Sequence, residues 1–321
     1  MSKAETHRRN FLLFATDMEP TGGGNCVGAW ALQAFMDDWD VTVICRDKPD
    51  IEALNRQFGT SLDSDRISLI SLSRPVRWLS RRIDPHPSSI WPLAFLVRKV
   101  HRIGRRFDVI LSINNEVDLG RPGLQYIHVP IYGNKMPVLR KYSGASIRTR
   151  IGGFFRGEYR PWMAVTRTDS RRIESNVFLA NSNWTANEIR KHYPVDPIVL
   201  YPPVRRVERA VDWKERRAAF VMLGRISIFK RQMVAIEILE EVRKRGHDVE
   251  LHIIGDPNRN DGGNYFRHVR NRVKQVSDWV HLHVSVERHE LESIVSRCRF
   301  GLHLHHQEHF GIAIAEMMSS G

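Results

Sequence analysis

Cysteine is scarce and scattered. The chain has three, Cys26, Cys45 and Cys298, far apart and with no C-x-x-C pair. That argues against a disulfide framework or a zinc ribbon, both of which need closely paired thiols; reduced, part-buried cysteines are expected instead. Long apolar runs are lacking too. No stretch approaches the ~18 consecutive apolar residues of a membrane-spanning helix, and the run from Ile90 to Val97 is broken by Pro92. The N-terminal patch FLLFA is too short for a secretory signal. Low-complexity sequence, a zinc-finger spacing and an RNP-like aromatic pattern are absent, which speaks against a nucleic-acid partner. These absences point to a cytoplasmic protein that is at most peripheral on a membrane.

Acid is also in short supply. Lys and Arg number 49 against 36 Asp and Glu, a net charge of +13, so phosphates, anionic lipid or nucleic acid are the natural partners, and charge alone does not choose among them. What is present is an ordinary globular composition, 42% apolar and 26% charged, in 321 residues. That length exceeds what one hydrophobic core usually organises and suggests two domains.

A strand-then-helix rhythm runs along the chain. NFLLFAT (10–16) is a compact apolar run, GGGNCVGAWALQAFMDDW (22–39) has helical spacing, and DVTVIC (40–45) alternates as a strand does. Such a βαβ unit is expected to be parallel and right-handed. Further strands are predicted at RISLISL, FDVILSI, LQYIHV and NVFLANS. After PIVLYPPV the rhythm restarts. AAFVMLG, VELHIIG, WVHLHVS and FGLHLHH are strand candidates, KRQMVAIEILEEVRKRG is an amphipathic helix, and HELESIVSRC is helical. Pro202 and Pro203 stiffen an extended connection. The boundary is therefore placed at 200/201, between two Rossmann-like α/β domains.

Three motifs sit on this frame. Thr21 to Gly24, TGGG, lies between the first strand and the first helix, where bare amides favour an anion or the close approach of a ligand; a tight turn needing positive φ is an equal reading, and without the G-x-G-x-x-G spacing a dinucleotide claim is unsupported. Arg225 and Lys230 fall just past the first strand of the second domain, at the carboxyl edge where open α/β sheets bind ligands. Two cations there suit a diphosphate, although a solvated basic loop is the plainer alternative. In HHQEHFGIAIAEMMSSG (305–321), Gly311 permits a sharp turn and the amides of Phe310, Gly311 and Ile312 are placed to face a phosphate at a helix N-terminus. Glu308 precedes that helix and Glu316 lies about one turn into it, so the two carboxylates are set to reach different hydroxyls of one ligand.

The histidines of HLHHQEH, His303, His305, His306 and His309, invite a metal reading, since strand alternation would put His303 and His305 on one face. Imidazoles beside a ligand more often satisfy hydrogen bonds, so no metal is expected there. Residues 74–106 carry nine cations against Asp84, with Trp78 and Trp91 interleaved, and residues 140–172 carry nine more, including Arg148, Arg150, Arg156 and Arg160, against Glu158 and Asp169. Cations with tryptophans suit an anionic membrane surface, each worth ~1 kcal/mol near such a leaflet. A solvated basic face is the other reading.

The stretch E-H-F-G-I-A-I-A-E, with Glu308 and Glu316 separated by seven residues, resembles the signature of family 4 retaining glycosyltransferases of the GT-B fold. YIHVP (126–130), NSNWT (181–185), YPPV (201–204), GRISIFK (224–230) and the glycine-rich first loop agree with it in order. The flavour of these motifs is most similar to the branch of α-1,2-mannosyltransferases that extend dolichol-linked oligosaccharide. By this resemblance Arg225 and Lys230 match the donor-diphosphate cations, Phe310 to Ile312 the diphosphate-facing amides, and Glu316 the ribose-binding glutamate. Glu308 matches the glutamate near the donor sugar, His128 the histidine near the reacting sugar, and Gly23 and Gly24 the loop that approaches donor and acceptor. The implied chemistry is transfer of a hexose, mannose from GDP-mannose being the leading donor, to a glycan or lipid-linked hydroxyl without a divalent metal. A non-catalytic protein that binds a nucleotide-sugar or an anionic surface is the alternative. Family members continue past the position of Gly321, so the resemblance also implies an incomplete second domain, an uncovered sheet edge and poor activity for these 321 residues.

Overall fold

The computed structural model describes residues 8–84, 89–143, 145–158, 160–206, 211–258 and 263–321. The chain divides into two compact units, Met1–Pro203 and Val204–Gly321.

The first unit is built on a seven-stranded sheet. Its strands are β1 (Arg9–Phe14), β2 (Trp39–Cys45), β3 (Ile67–Ser71), β4 (Val109–Ser112), β5 (Leu124–Ile127), β6 (Val177–Ala180) and β7 (Ile198–Val199). They are arranged 3-2-1-4-5-6-7, and every pairing is parallel. β1 shows why its sequence is one apolar run. Phe11 and Leu13 pack with Val27, Ala29 and Leu32 of the Gly23–Met36 helix, while Leu12 and Phe14 pack with Leu96, Val97 and Val100 of the Trp91–Ile103 helix. A parallel strand covered on both faces has no polar side to alternate with. Full burial of each such side chain contributes about 1.5–3 kcal/mol.

The second unit has β8 (Arg217–Leu223), β9 (Glu250–Ile254), β10 (Val280–His283) and β11 (Cys298–Gly301) in the order 10-9-8-11, again all parallel. Leu251 and Ile253 face the Gln232–Lys244 and Asn264–Gln275 helices. Ala219, Val221 and Ile254 face Leu291, Ile294 and Val295 of the Arg288–Arg297 helix and Met317 of the Ile312–Ser319 helix.

Two expectations change here. Cys298, read as the end of a helix, is the first residue of β11 and is buried. The strand predicted over FGLHLHH stops at Gly301, and the last bond to its neighbour is from Leu302 N to Val221 O. The alternation of Leu and His beyond it mimics the period of a strand, but His303 and His305 leave the ladder and turn toward Glu308. All three cysteines are free thiols; Cys26 is part-buried, and Cys45 and Cys298 are fully so.

Candidate functional site

In the second unit the predicted residues gather where β8 and β11 end. The chain leaves β8 at Gly224, which has φ +137°, and a side chain on Gly255 after β9 would sit 2.0 Å from the Gly224 carbonyl, so these two loops touch through backbone alone. The loop is then held from inside by Gln232, which is 1% exposed. Its Oε1 accepts from Ser227 N at 3.3 Å and its Nε2 donates to Arg225 O at 3.1 Å. That leaves the Arg225 side chain exposed to solvent. The Lys230 stem crosses over Gly224, and its Nζ donates to Glu308 Oε2 at 2.6 Å.

Glu308 is the hub of this cluster. His303 Nε2 lies 3.0 Å and His305 Nδ1 3.9 Å from the same Oε2. Burial raises the Glu308 carboxyl, but Lys230 and the two imidazoles outweigh it and hold Glu308 below the ordinary carboxylate value. Burial, Lys230 and His305 depress His303 against the pull of Glu308, which keeps that ring neutral. Gly311, at φ +85°, is required by close approach, because a Cβ there would meet Ile314 Cδ1 at 2.8 Å and Glu308 Cγ at 3.1 Å. Gly311 caps the Ile312–Ser319 helix with no side-chain hydrogen bond; the first amides of such a helix have no intrahelical acceptor.

Glu316 lies on the second turn of that helix and is paired. Arg288 Nη1 donates to Glu316 Oε1 at 2.6 Å and Arg288 Nε to Glu292 Oε1 at 2.7 Å. Burial disfavours the Arg288 charge, yet Glu316 and Glu292 together raise its pKa above the ordinary value. Arg288 and Gln232 carry no motif that marks them in the sequence.

The first unit holds the other predicted group. Gly22, at φ +82°, precedes the Gly23–Met36 helix, so Gly23 and Gly24, expected in a loop, form its first turn; a Cβ on Gly24 would lie 3.1 Å from His128 Nε2, and the imidazole rests on that turn. His128 is fixed by its backbone. Asn115, itself at φ +60°, accepts from His128 N at 2.7 Å and Val129 N at 3.1 Å, while Asn181 Nδ2 donates to His128 O at 3.1 Å. Asn114 ties the same segment to the end of β1, accepting from Thr16 N at 2.8 Å and donating to Phe14 O at 3.1 Å. The signal for these residues was NNEVD (114–118), a polar run directly after an apolar strand.

The basic stretches are not uniformly free. Arg77 binds Asp47 at 2.8 Å, Lys99 donates to Ser71 O at 2.8 Å, and Trp91 is half-buried beside Phe95. Trp78 is 66% exposed. On the Ile147–Phe155 helix, Ile147, Ile151, Phe154 and Phe155 are all exposed, at 76, 51, 50 and 82%. Their i, i+4, i+7, i+8 spacing puts them on one face, with Arg148 and Arg156 exposed beside it. Among the described residues no helix is long and apolar enough to cross a membrane.

Residues 204–321 match the family model of glycosyl transferases group 1, the same span as the second unit. The chain is similar to the GDP-Man:Man(3)GlcNAc(2)-PP-Dol alpha-1,2-mannosyltransferase of Dictyostelium discoideum, 23% identical over 165 residues, which is 46% of this chain and 33% of that protein. The enzyme of the same name from Mus musculus is 26% identical over 162 residues, again 46% and 33%. These matches thus span about a third of the length of the curated relatives. Among solved structures, Anabaena HepE in complex with UDP and glucose superimposes with TM-score 0.61 at 15% identity, covering 98% of this chain and 79% of that one. WaaG, a glycosyltransferase involved in lipopolysaccharide biosynthesis, gives 0.56 at 15%, covering 97% and 79%. At such identities the likeness is one of fold: the two parallel sheets are the two Rossmann-like domains of the GT-B architecture.

Proposed function

With residues 204–321 forming a glycosyl transferases group 1 domain, we propose that the chain is a retaining glycosyltransferase. It moves a hexose from a nucleotide diphosphate sugar to a hydroxyl of a glycan or lipid-linked acceptor. Mannose from GDP-mannose is the leading donor, in line with the names of the curated relatives. The observation that carries this reading is the pair of carboxylates at the carboxyl edge of the second sheet, Glu308 on Lys230 and Glu316 on Arg288.

In this reading the diphosphate lies against Arg225, Lys230 and the amides of Phe310, Gly311 and Ile312, and Glu316 holds the ribose. Charge builds on the departing diphosphate as the anomeric C–O bond breaks, so fixed cations and helix amides act most strongly in the transition state. The acceptor oxygen bonds to the anomeric carbon from the face the diphosphate leaves, and its proton passes to the departing phosphate oxygen. Glu308 steadies the positive sugar; in the first unit, His128, Gly23 and Gly24 are the residues that the family resemblance assigns to the reaction. With Arg225 and Lys230 supplying positive charge at the diphosphate, transfer is expected to need no divalent metal and to survive EDTA.

The exposed face of the Ile147–Phe155 helix supports a location for this activity. An apolar stripe bordered by arginines suits an anionic leaflet, here the cytoplasmic face of the membrane that carries a lipid-linked acceptor.

Calorimetric titration with GDP-mannose, UDP-glucose and the free diphosphates tests the donor assignment. One donor is expected to bind selectively, and Glu316→Ala and Arg225→Ala are each expected to weaken it about tenfold, the loss of roughly one charged hydrogen bond. Unchanged affinity in both variants refutes the site.

A further inference from the structure

A second cluster of ligand-bearing side chains lies on the sheet of the Val204–Gly321 unit, away from the strand ends that hold Glu308. Glu250 opens β9 and His252 follows two residues later on the same face, while His281 of β10 stands level with His252 in the parallel register. His252 Nε2 lies 3.5 Å and His281 Nε2 3.9 Å from a single oxygen, Glu250 Oε2. Three ligand atoms, one from each residue, fall within 4.8 Å of one another. That oxygen is buried and accepts no hydrogen bond among the described residues; Arg217 Nη1 lies 3.6 Å from it, on a side chain that is 63% exposed.

We propose that Glu250, His252 and His281 form a zinc site. Two imidazoles and one carboxylate are a ligand set suited to Zn²⁺, and a water completes four-coordination. A fourth residue supports the geometry. His252 Nδ1 and His283 Nε2 are 3.0 Å apart, so when Nδ1 is the donor in that bond, Nε2 presents its lone pair toward Glu250. A ligating histidine is usually oriented in this way by a partner on its other nitrogen. The bound ion joins β9 to β10, the strand at the end of the sheet order. It also meets an acid that the protein otherwise leaves short of donors.

Titration of the whole chain with ZnCl₂ by calorimetry, with Co²⁺ absorption as a readout of coordination, tests this. One equivalent of Zn²⁺ is expected to be lost in both His252→Ala and His281→Ala and kept in His305→Ala. His283→Leu is expected to weaken it about 10- to 100-fold, as loss of an orienting partner does. His281 is a third exposed, so its alanine variant is expected to fold, checked by circular dichroism, should His252→Ala fail to. Bound zinc is also expected to raise the melting midpoint of the parent chain and not of His281→Ala. No zinc uptake by the parent, an equivalent that survives in His281→Ala, or one lost only in His305→Ala overturns the site.

Discussion

The two units handle buried acid in different ways. In the first, Glu116 and Asp118 are each 1% exposed and are saturated with donors. Glu116 accepts from Ile131 N, Tyr132 N and the Tyr193 hydroxyl. Asp118 accepts from Gly120 N, Asp169 N and two nitrogens of Arg172. In the second, Glu308 and Glu316 are 24% and 17% exposed, and each is engaged by one strong cation at the carboxyl edge of a parallel sheet. A carboxylate sealed among backbone amides pins loops together and has nothing left to offer a ligand. One that is half-open and held by a single lysine or arginine can share that partner with incoming hydroxyls and phosphates.

The sharpest way to break this contrast is to remove the cation on the open side. Lys230→Ala is expected to cut transfer about 10²–10³-fold, the usual cost of deleting one charge-stabilising donor. It should cost only about 1 kcal/mol of stability, because water reaches the Glu308 left behind. Rates measured alongside thermal melts decide it: a variant that melts early and keeps its rate per folded molecule would make Lys230 a structural residue.

The complementary change is expected to reverse the pattern. Burial raises the Asp118 carboxyl, but His101, Arg172 and the Asp169 amide pull it down to about 2 against an ordinary 3.8. A depressed carboxyl contributes stability that is complete above about pH 4 and is lost as pH falls through about 2, here about 2 kcal/mol. Asp118→Asn should lower the melting midpoint by about 4–8 °C at neutral pH. It should also flatten the loss of stability between pH 4 and 2, leaving donor affinity alone. A variant that melts like its parent would mean that Arg172 and the amides are satisfied without this charge.

Much of the fold was legible because parallel strands covered on both faces must be apolar throughout, and FLLF, VTVIC and VILS read as strands for that reason. The two-residue strand Ile198–Val199 is too short to carry a period. Of the candidate site, Lys230, Glu308, Gly311 and Glu316 could be picked out because they lie within two short stretches of chain. Arg288 could not, and Asn115 showed only as part of the polar run NNEVD, with nothing to tie it to His128. Arg288 meets Glu316 across 28 residues, and Asn115 meets His128 across 13, so their roles exist only once strands have been set side by side. The His303 and His305 pair shows the opposite failure. Local alternation suggested a strand, whereas both rings lie beside Glu308, a residue further along the chain.

The smallest expected effect on stability tests the outer surface of the first unit. Phe155 is 82% and Phe154 50% exposed, so neither ring gains much from folding, and Phe154→Ser with Phe155→Ser should change stability by no more than about 0.5 kcal/mol. The same rings are available to enter a bilayer interface, flanked by Arg148 and Arg156. Cosedimentation with phosphatidylserine vesicles, compared with phosphatidylcholine at low and high salt, separates the two contributions. The arginine share is screened over about 8 Å at physiological ionic strength and fades with added salt, while the aromatic share does not. The double variant should therefore lose the salt-resistant part of binding and keep the salt-sensitive part. If it sediments as the parent does under all four conditions, the Ile147–Phe155 helix is not the membrane contact, and the exposed Trp78 of the Arg74–Ile83 helix becomes the next residue to change.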